Sequence, residues 1–341
     1  MVEKPGALSA SSSLVNHTSS GGAEQPHSAA PAASPSGALV ARPVARFRFT
    51  VLTTTCTLVL IFAGGLVTST ESGLSVPDWP LSYGMLMPPM VGGVFYEHGH
   101  RMIASAVGFL TLVLALWTAR VESRSYVRRW TWLGLGTVIA QGVLGGLTVL
   151  YFLPTGVSVA HACLAQTFFC ILIGLAYMTS QEWVDGGLSP THSLRRPALA
   201  ATLAVYVQLL IGALMRHLDA GLAIPDFPLA FGGLLPPFDS LGVVVHFAHR
   251  LGALLVLVLI ARLFFAAQGA PAPPGRSLSQ LILALAFVQV GLGATTIWTQ
   301  KAVVPTTFHV ATGAAILGLC WLLTLRTWRL SRPLAPAEAQ A

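Results

Sequence analysis

The chain has 341 residues, 54% of them hydrophobic and only 9% charged, and its mean hydropathy is +0.71. A soluble domain carries roughly 25% charged residues, so this composition excludes an ordinary water-facing surface and points to a membrane protein. The net charge of +7 comes from basic residues placed between apolar segments rather than on one solvated face, which argues against nucleic-acid binding.

Residues 1–45 are rich in Ala, Ser, Gly and Pro and are expected to form a disordered tail, with His17 and His27 inert and no simple signal peptide. Eight apolar segments follow, at about 48–70, 98–119, 130–151, 157–179, 197–217, 243–266, 277–298 and 305–326. Each is long enough to cross about 30 Å of hydrocarbon as a helix. Arg42, Arg46 and Arg48 precede the first segment, and Arg120, Arg124, Arg128 and Arg129 lie between the second and third. Arg195 and Arg196 fall between the fourth and fifth, Arg276 between the sixth and seventh, and Arg326, Arg329 and Arg332 after the eighth. All of these share one side, which predicts a multi-pass protein of the cell inner (plasma) membrane with both termini cytoplasmic. His192 is expected in a solvated cytoplasmic loop. Cys56, Cys163, Cys170 and Cys320 all lie in apolar stretches, so no disulfide framework is readable.

An internal repeat runs through this pattern. Residues 73–90 read GLSVPDWPLSYGMLMPPM and residues 221–238 read GLAIPDFPLAFGGLLPPF. The displacement of 148 also carries Gly64 to Gly212, Gln141 to Gln289, Gly145 to Gly293 and His161 to His309. The pair His100-Arg101 returns one residue later, as His249-Arg250. The expected fold is therefore all-α: eight transmembrane helices as two pseudo-symmetric four-helix bundles, 46–182 and 183–330, with a tail over 331–341. Four helices per unit give both units the same orientation.

Ligating groups within a bilayer are costly and indicate function. His100, His161, His249 and His309 all fall near the outer ends of their helices, at similar depth. Two imidazoles per bundle, with few carboxylates nearby, suit the two faces of a haem better than a bare zinc site, which wants four ligands or three and water. Gly142, Gly145, Gly146, Gly291 and Gly293 are expected to let a large ring approach the backbone, and Arg101 and Arg250 to pair with haem propionates or to snorkel. Glu97 lies one turn before His100, whereas the matching position before His249 is His246, so a carboxylate serves only the first site. Asp78 and Asp226 read as turn-formers, and Trp79 and Phe227 suit the membrane interface. Gln141 and Gln289 are expected to hydrogen-bond near the pocket or between helices; His98, His217 and Arg216 receive no role. A di-haem b electron carrier without haem modification and a haem transporter are alternatives that the residues alone leave open.

The stretches GGLVTSTESGLSVPDWPL (64–81), EHGHR (97–101), AHACLAQ (160–166), HFAHR (246–250) and FHVATG (308–313) resemble the haem A synthase family. The resemblance covers roughly residues 48–326. It implies oxidation of a methyl group of haem O to the formyl group of haem A, destined for cytochrome oxidase and downstream of a haem O-producing farnesyltransferase. It implies further that His100 and His161 flank the substrate haem, with Arg101 beside it and Glu97 as the catalytic residue. His249 and His309 then ligate a haem b cofactor, next to Arg250. Many bacterial members carry a cysteine pair in the first outer loop; here that loop has none, and Ser82 stands at the corresponding position.

Overall fold

A segment crossing hydrocarbon must satisfy every backbone N–H and C=O internally, and an isolated apolar stretch does so only as a helix. The computed structural model follows that rule. It describes residues 44–185, 192–269 and 275–329. His17, His27, Arg42, Arg332 and most of both expected tails lie outside the described residues, as does the side chain of His192.

The helices are α1 (Val44–Ser69), α2 (Gly93–Val121), α3 (Ser125–Leu150), α4 (Thr155–Met178), the short α5 (Gln181–Asp185), α6 (His192–His217), α7 (Leu241–Gln268), α8 (Arg276–Trp298) and α9 (Val303–Arg329). All but α5 are long and apolar enough to cross a membrane, so the protein is an all-α, multi-pass membrane protein. No strand occurs among the described residues; two isolated bridges pair Ser82 with Met85 and Ala230 with Gly233. The helices start earlier than hydropathy suggests. Helix α2 begins at Gly93, so Glu97 and His98 are helical and His100 sits inside the helix rather than opening it. His192 likewise begins α6 instead of lying in a loop.

Threonines on α1 are hidden by back-bonding. Thr50, Thr53, Thr54 and Thr57 each donate to the carbonyl four residues earlier, which removes the cost of burying a hydroxyl. Helices α1 to α4 pack around one apolar core containing Leu114, Val127, Phe168 and Leu172. Helices α6 to α9 pack around another, containing Val205, Leu263, Ile282 and Leu317. The two groups meet where α9 packs on α1 and α4, and α4 on α6. Accordingly α4 and α9 are the most enclosed spans, 44% buried against 17–33% for the others. A third cluster, Ile61, Phe169 and Ala314, joins α1, α4 and α9 there.

Among the described arginines that predicted topology, Arg46, Arg124 and Arg326 gather at one end. Glu122, at the close of α2, binds Arg46 of α1 at 2.5 Å and Arg124 at 2.9 Å, and Arg124 donates to the Met178 carbonyl at the end of α4. Arg326 of α9 pairs with Glu182 at 2.7 Å. The opposite end carries the two proline-rich loops, and there Arg216 of α6 donates to the Thr68 carbonyl of α1.

Candidate functional site

The loops are built alike. Asp78 accepts from the backbone N–H of Tyr83 at 2.6 Å and of Gly84 at 2.8 Å; Asp226 accepts from Phe231 at 2.7 Å and Gly232 at 2.8 Å. Gly84 and Gly232 occupy the left-handed region, with φ of 69° and 75°, where glycine carries no penalty. The Gly84 and Tyr83 amides hold the Asp78 carboxyl below the usual carboxylate range, and the Gly232 and Phe231 amides do the same for Asp226. Both aspartates are thus turn-formers, as expected.

Each loop is fastened to the helix that follows it. Val76 and Ile224 are fully buried. The Val76 N–H donates to Glu97 at 2.8 Å, and the Ile224 N–H donates to Nδ1 of His246 at 3.2 Å. Arg101 donates to the Asp78 carbonyl at 2.7 Å and the Leu81 carbonyl at 2.9 Å; Arg250 donates to the Asp226 carbonyl at 2.6 Å and the Leu229 carbonyl at 2.8 Å. Glu97 also takes Arg101 in a 2.6 Å ion pair, so both of its oxygens are occupied. His98 joins the same fastening through Ser82, at 2.8 Å. Trp79 lies over Gly146 of α3, where an added methyl would fall 2.7 Å from the indole.

Beneath the loops stand the four histidines, and each rests on a glycine of a neighbouring helix. A Cβ at Gly64 would lie 3.2 Å from Cε1 of His100, and one at Gly145 3.2 Å from Cε1 of His161. At Gly212 and Gly293 the distances to His249 and His309 are both 3.1 Å. In every case the Cε1–Nδ1 edge is nearest the glycine, which leaves Nε2 as the far nitrogen. This corrects the expected use of glycine. Gly145 and Gly293 seat imidazoles, Gly146 seats Trp79, and only Gly142 and Gly291 face open space. All four histidines are partly buried.

The rings of His249 and His309 lie 6.3 Å apart, centroid to centroid, at 60°. Two imidazoles on opposite faces of one metal macrocycle, at roughly 2 Å per metal–nitrogen bond, put their centroids about 6 Å apart. The α7–α9 pair fits that requirement. Among the described residues no group of three or more His, Cys, Asp or Glu is arranged for a bare ion. All four cysteines are free.

The partners of the rings differ between halves. The His309 Nδ1–H meets the Gln289 carbonyl at 3.2 Å, and the Gln289 amide stands 3.4 Å from its Nε2. Gln141 instead donates to the His161 carbonyl at 2.9 Å. Gln208 of α6 reaches Nδ1 of His249 at 3.1 Å and donates to the His249 carbonyl at 2.7 Å. Sequence reading missed Gln208, because its repeat partner is Leu60 and no recurrence marks it. A cavity of about 380 Å³ among Val51, Thr55, Ile173, Tyr177, Glu182 and Arg326 lies at the other end of the helices and contains no imidazole.

Fold and site together define a polytopic helical membrane protein with four histidines on its apolar helices, two of them ring to ring. The model of the cytochrome oxidase assembly protein family, COX15-CtaA, matches residues 47–93 and 90–321, and the chain belongs to that family. It is similar to the Heme A synthase of Symbiobacterium thermophilum, at 33% identity over 62% of this chain and 72% of that one. It is also similar to the Heme A synthase of Caulobacter vibrioides, at 30% identity over 86% of this chain and 97% of the relative. That of Halalkalibacterium halodurans is 30% identical over 62% and 72% respectively.

Proposed function

We propose that this protein is a haem A synthase, which oxidises a methyl group of haem O to the formyl group of haem A. The observation that carries the reading is the imidazole pair His249–His309 at haem-ligand spacing, each ring on its own glycine, in a chain whose relatives are named for this activity.

In this reading α1–α4 and α6–α9 are two pseudo-symmetric bundles. The matched glycine seats, aspartate turns and loop fastenings at displacements of 148 or 149 support it. His249 and His309 would hold a resident haem b, and His100 and His161 would flank the substrate haem. When bound, haem b supplies one-electron transfer. The chain's own residues hold and orient. The glycines set ring position, the apolar helices exclude water, and each arginine braces the loop over its site. Arg101 and Arg250 already donate to loop carbonyls, so a propionate would be met at the edge of a braced loop rather than by a free guanidinium. Glu97 is the one carboxylate beside the substrate site, and its hydrogen bonds assign it first to holding that loop over His100. The arginine-rich helix ends set both termini on the cytoplasmic side of the inner membrane. The farnesyltransferase that makes haem O stands upstream and cytochrome oxidase assembly downstream.

The test is co-expression of the full chain with a source of haem O, followed by mass analysis of extracted haems. The expected product is haem carrying a formyl in place of a methyl. Unmodified haem alone, from protein that holds haem, would instead mark a di-haem electron carrier.

A further inference from the structure

Between Asp78 and Glu97, and again between Asp226 and Asp239, no residue is Asp, Glu, Lys or Arg. In a soluble domain roughly a quarter of residues are charged, so loops of this length bathed in water would hold several. The tips of the two loops are also apolar and bare. Leu86 and Met87 are 84% and 59% exposed, and their repeat partners Leu234 and Leu235 are 84% and 70% exposed. Contiguous apolar exposure of this kind marks a surface that something covers.

Depth and continuity identify the cover. Trp79 packs on Gly146, four residues before α3 ends at Leu150, and Ser82 bonds His98 within α2. The Ser82–Met85 bridge closes a tight turn directly before Leu86, and the Ala230–Gly233 bridge closes one directly before Leu234. In the second loop Arg250 holds the Asp226 and Leu229 carbonyls, and the indole of Trp298, which ends α8, donates to the Phe227 carbonyl at 3.2 Å. Both tips are thereby pinned beside the outer turns of the spanning helices, the depth at which aromatic residues gather at a membrane interface. Exposed helix faces lead up to them. Phe95, Met102 and Phe109 are exposed along one face of α2, and Val91 carries that line into the loop. Leu241, Val244, Leu251, Leu255 and Val258 are exposed along one face of α7. Phe238 lies edge-on against Phe247 at 5.5 Å, which lays the second tip along that helix. The apolar surface therefore runs unbroken from mid-span to loop tip, and the acyl chains that cover its lower part reach its upper part.

We propose that the tips Leu86–Met87 and Leu234–Leu235 insert into the acyl-chain boundary of the leaflet on the loop side, so that each loop above the histidines is a lipid-anchored interfacial element. Polar bonds from Glu97, Arg101, His246 and Arg250 hold the inner edge of each loop, and lipid holds the outer edge. The inference concerns the membrane surface and is independent of what the histidines bind.

The experiment uses the full chain, one copy per nanodisc, in phosphatidylethanolamine and phosphatidylglycerol with a small share of phosphatidylcholine bearing a diazirine in its acyl chain. Light-driven crosslinking of the wild-type protein, mapped on peptides by mass spectrometry, is expected to mark residues 85–90 and 233–238 as well as the helix faces. In the same discs Leu86→Cys and Leu234→Cys are treated with a charged, membrane-impermeant maleimide, beside Asp219→Cys, whose native side chain is 80% exposed in a polar outer turn. Peptide mapping separates these sites from the four native cysteines, all of which lie on spanning helices. Labelling at 86 and 234 is expected to be many-fold slower than at 219. Labelling as fast as at 219, or acyl crosslinks confined to the helices, would overturn the proposal. Fast labelling in single-copy discs that slows only when two copies share a disc would assign the tips to a second copy of the chain and overturn it equally.

Discussion

Glu97 and His246 stand at matching places and hold matching loop amides, Val76 and Ile224, yet only Glu97 carries charge and pairs with an arginine. Each carboxylate oxygen keeps a lone pair beyond the one bond it accepts, so these contacts hold the loop without blocking protonation of Glu97. Holding and acid–base chemistry are separable by magnitude. Loss of a general acid or base costs about 10²- to 10⁴-fold. Glu97→Gln keeps an oxygen for the Val76 N–H and is expected to retain haem and lose less than about tenfold in formyl production, well short of that range. Glu97→Ala frees both Val76 and Arg101 and is expected to lower haem content and product together. If the glutamine variant held haem normally but fell by the full acid–base factor, Glu97 would be the proton carrier. The repeat made Arg101 and all four histidines legible in the sequence, and Glu97 stood out by the histidine at its matching place; a displacement search otherwise finds only what recurs. It was blind to Gln208 for the same reason, and it located the glycines without showing that their occupant is an imidazole.

Among the elements, the helices were legible because an apolar run long enough to span hydrocarbon has one backbone solution. Their first turns were not. Glu97 and His98 are buried by a loop, and no local pattern announces that. The loops owe their shape to Asp78 and Asp226, and a pH dependence follows. Both carboxyls titrate below the ordinary aspartate range because the charged form accepts two backbone amides. A depressed folded pKa stabilises above the unfolded value, and the contribution is lost as pH falls through the folded one. Hydrogen exchange at Phe231 and Gly232, corrected for intrinsic rate, is expected to show constant protection from neutral pH down to the usual aspartate range and a loss below it. Asp226→Asn is expected to show weaker protection at neutral pH and no such acid transition. An acid transition that survived in the asparagine variant would assign it to another group.

At the scale of the molecule, two helix groups with separate cores behave as one body only if their seam is tight. Part of the seam is α4 against α9, where Gly318 leaves no room for a side chain. A Cβ there would lie 2.7 Å from Cδ1 of Ile173 and 2.8 Å from Cε1 of Phe169, while Gly174 on the facing helix gives room to Leu325 and Trp321. Small residues at such crossings let helices approach where lipid offers no hydrophobic drive for association. Beside it the Trp321 indole donates to the Cys170 carbonyl at 2.9 Å, and the hydroxyls of Thr202 and Thr324 meet at 2.9 Å between α6 and α9. Gly318→Leu must part the helices or force rotamers, an overpacking cost of about 1–3 kcal/mol. None of the buried core residues of either helix group lies at position 318, and Gly293 and Gly212, which seat His309 and His249, lie on other helices. The expected outcome is a lower unfolding temperature in detergent, near-normal resident haem, and formyl production reduced well beyond the loss of haem. A variant that lost haem and product in equal proportion would show that the seam serves the bundles separately and does not couple them.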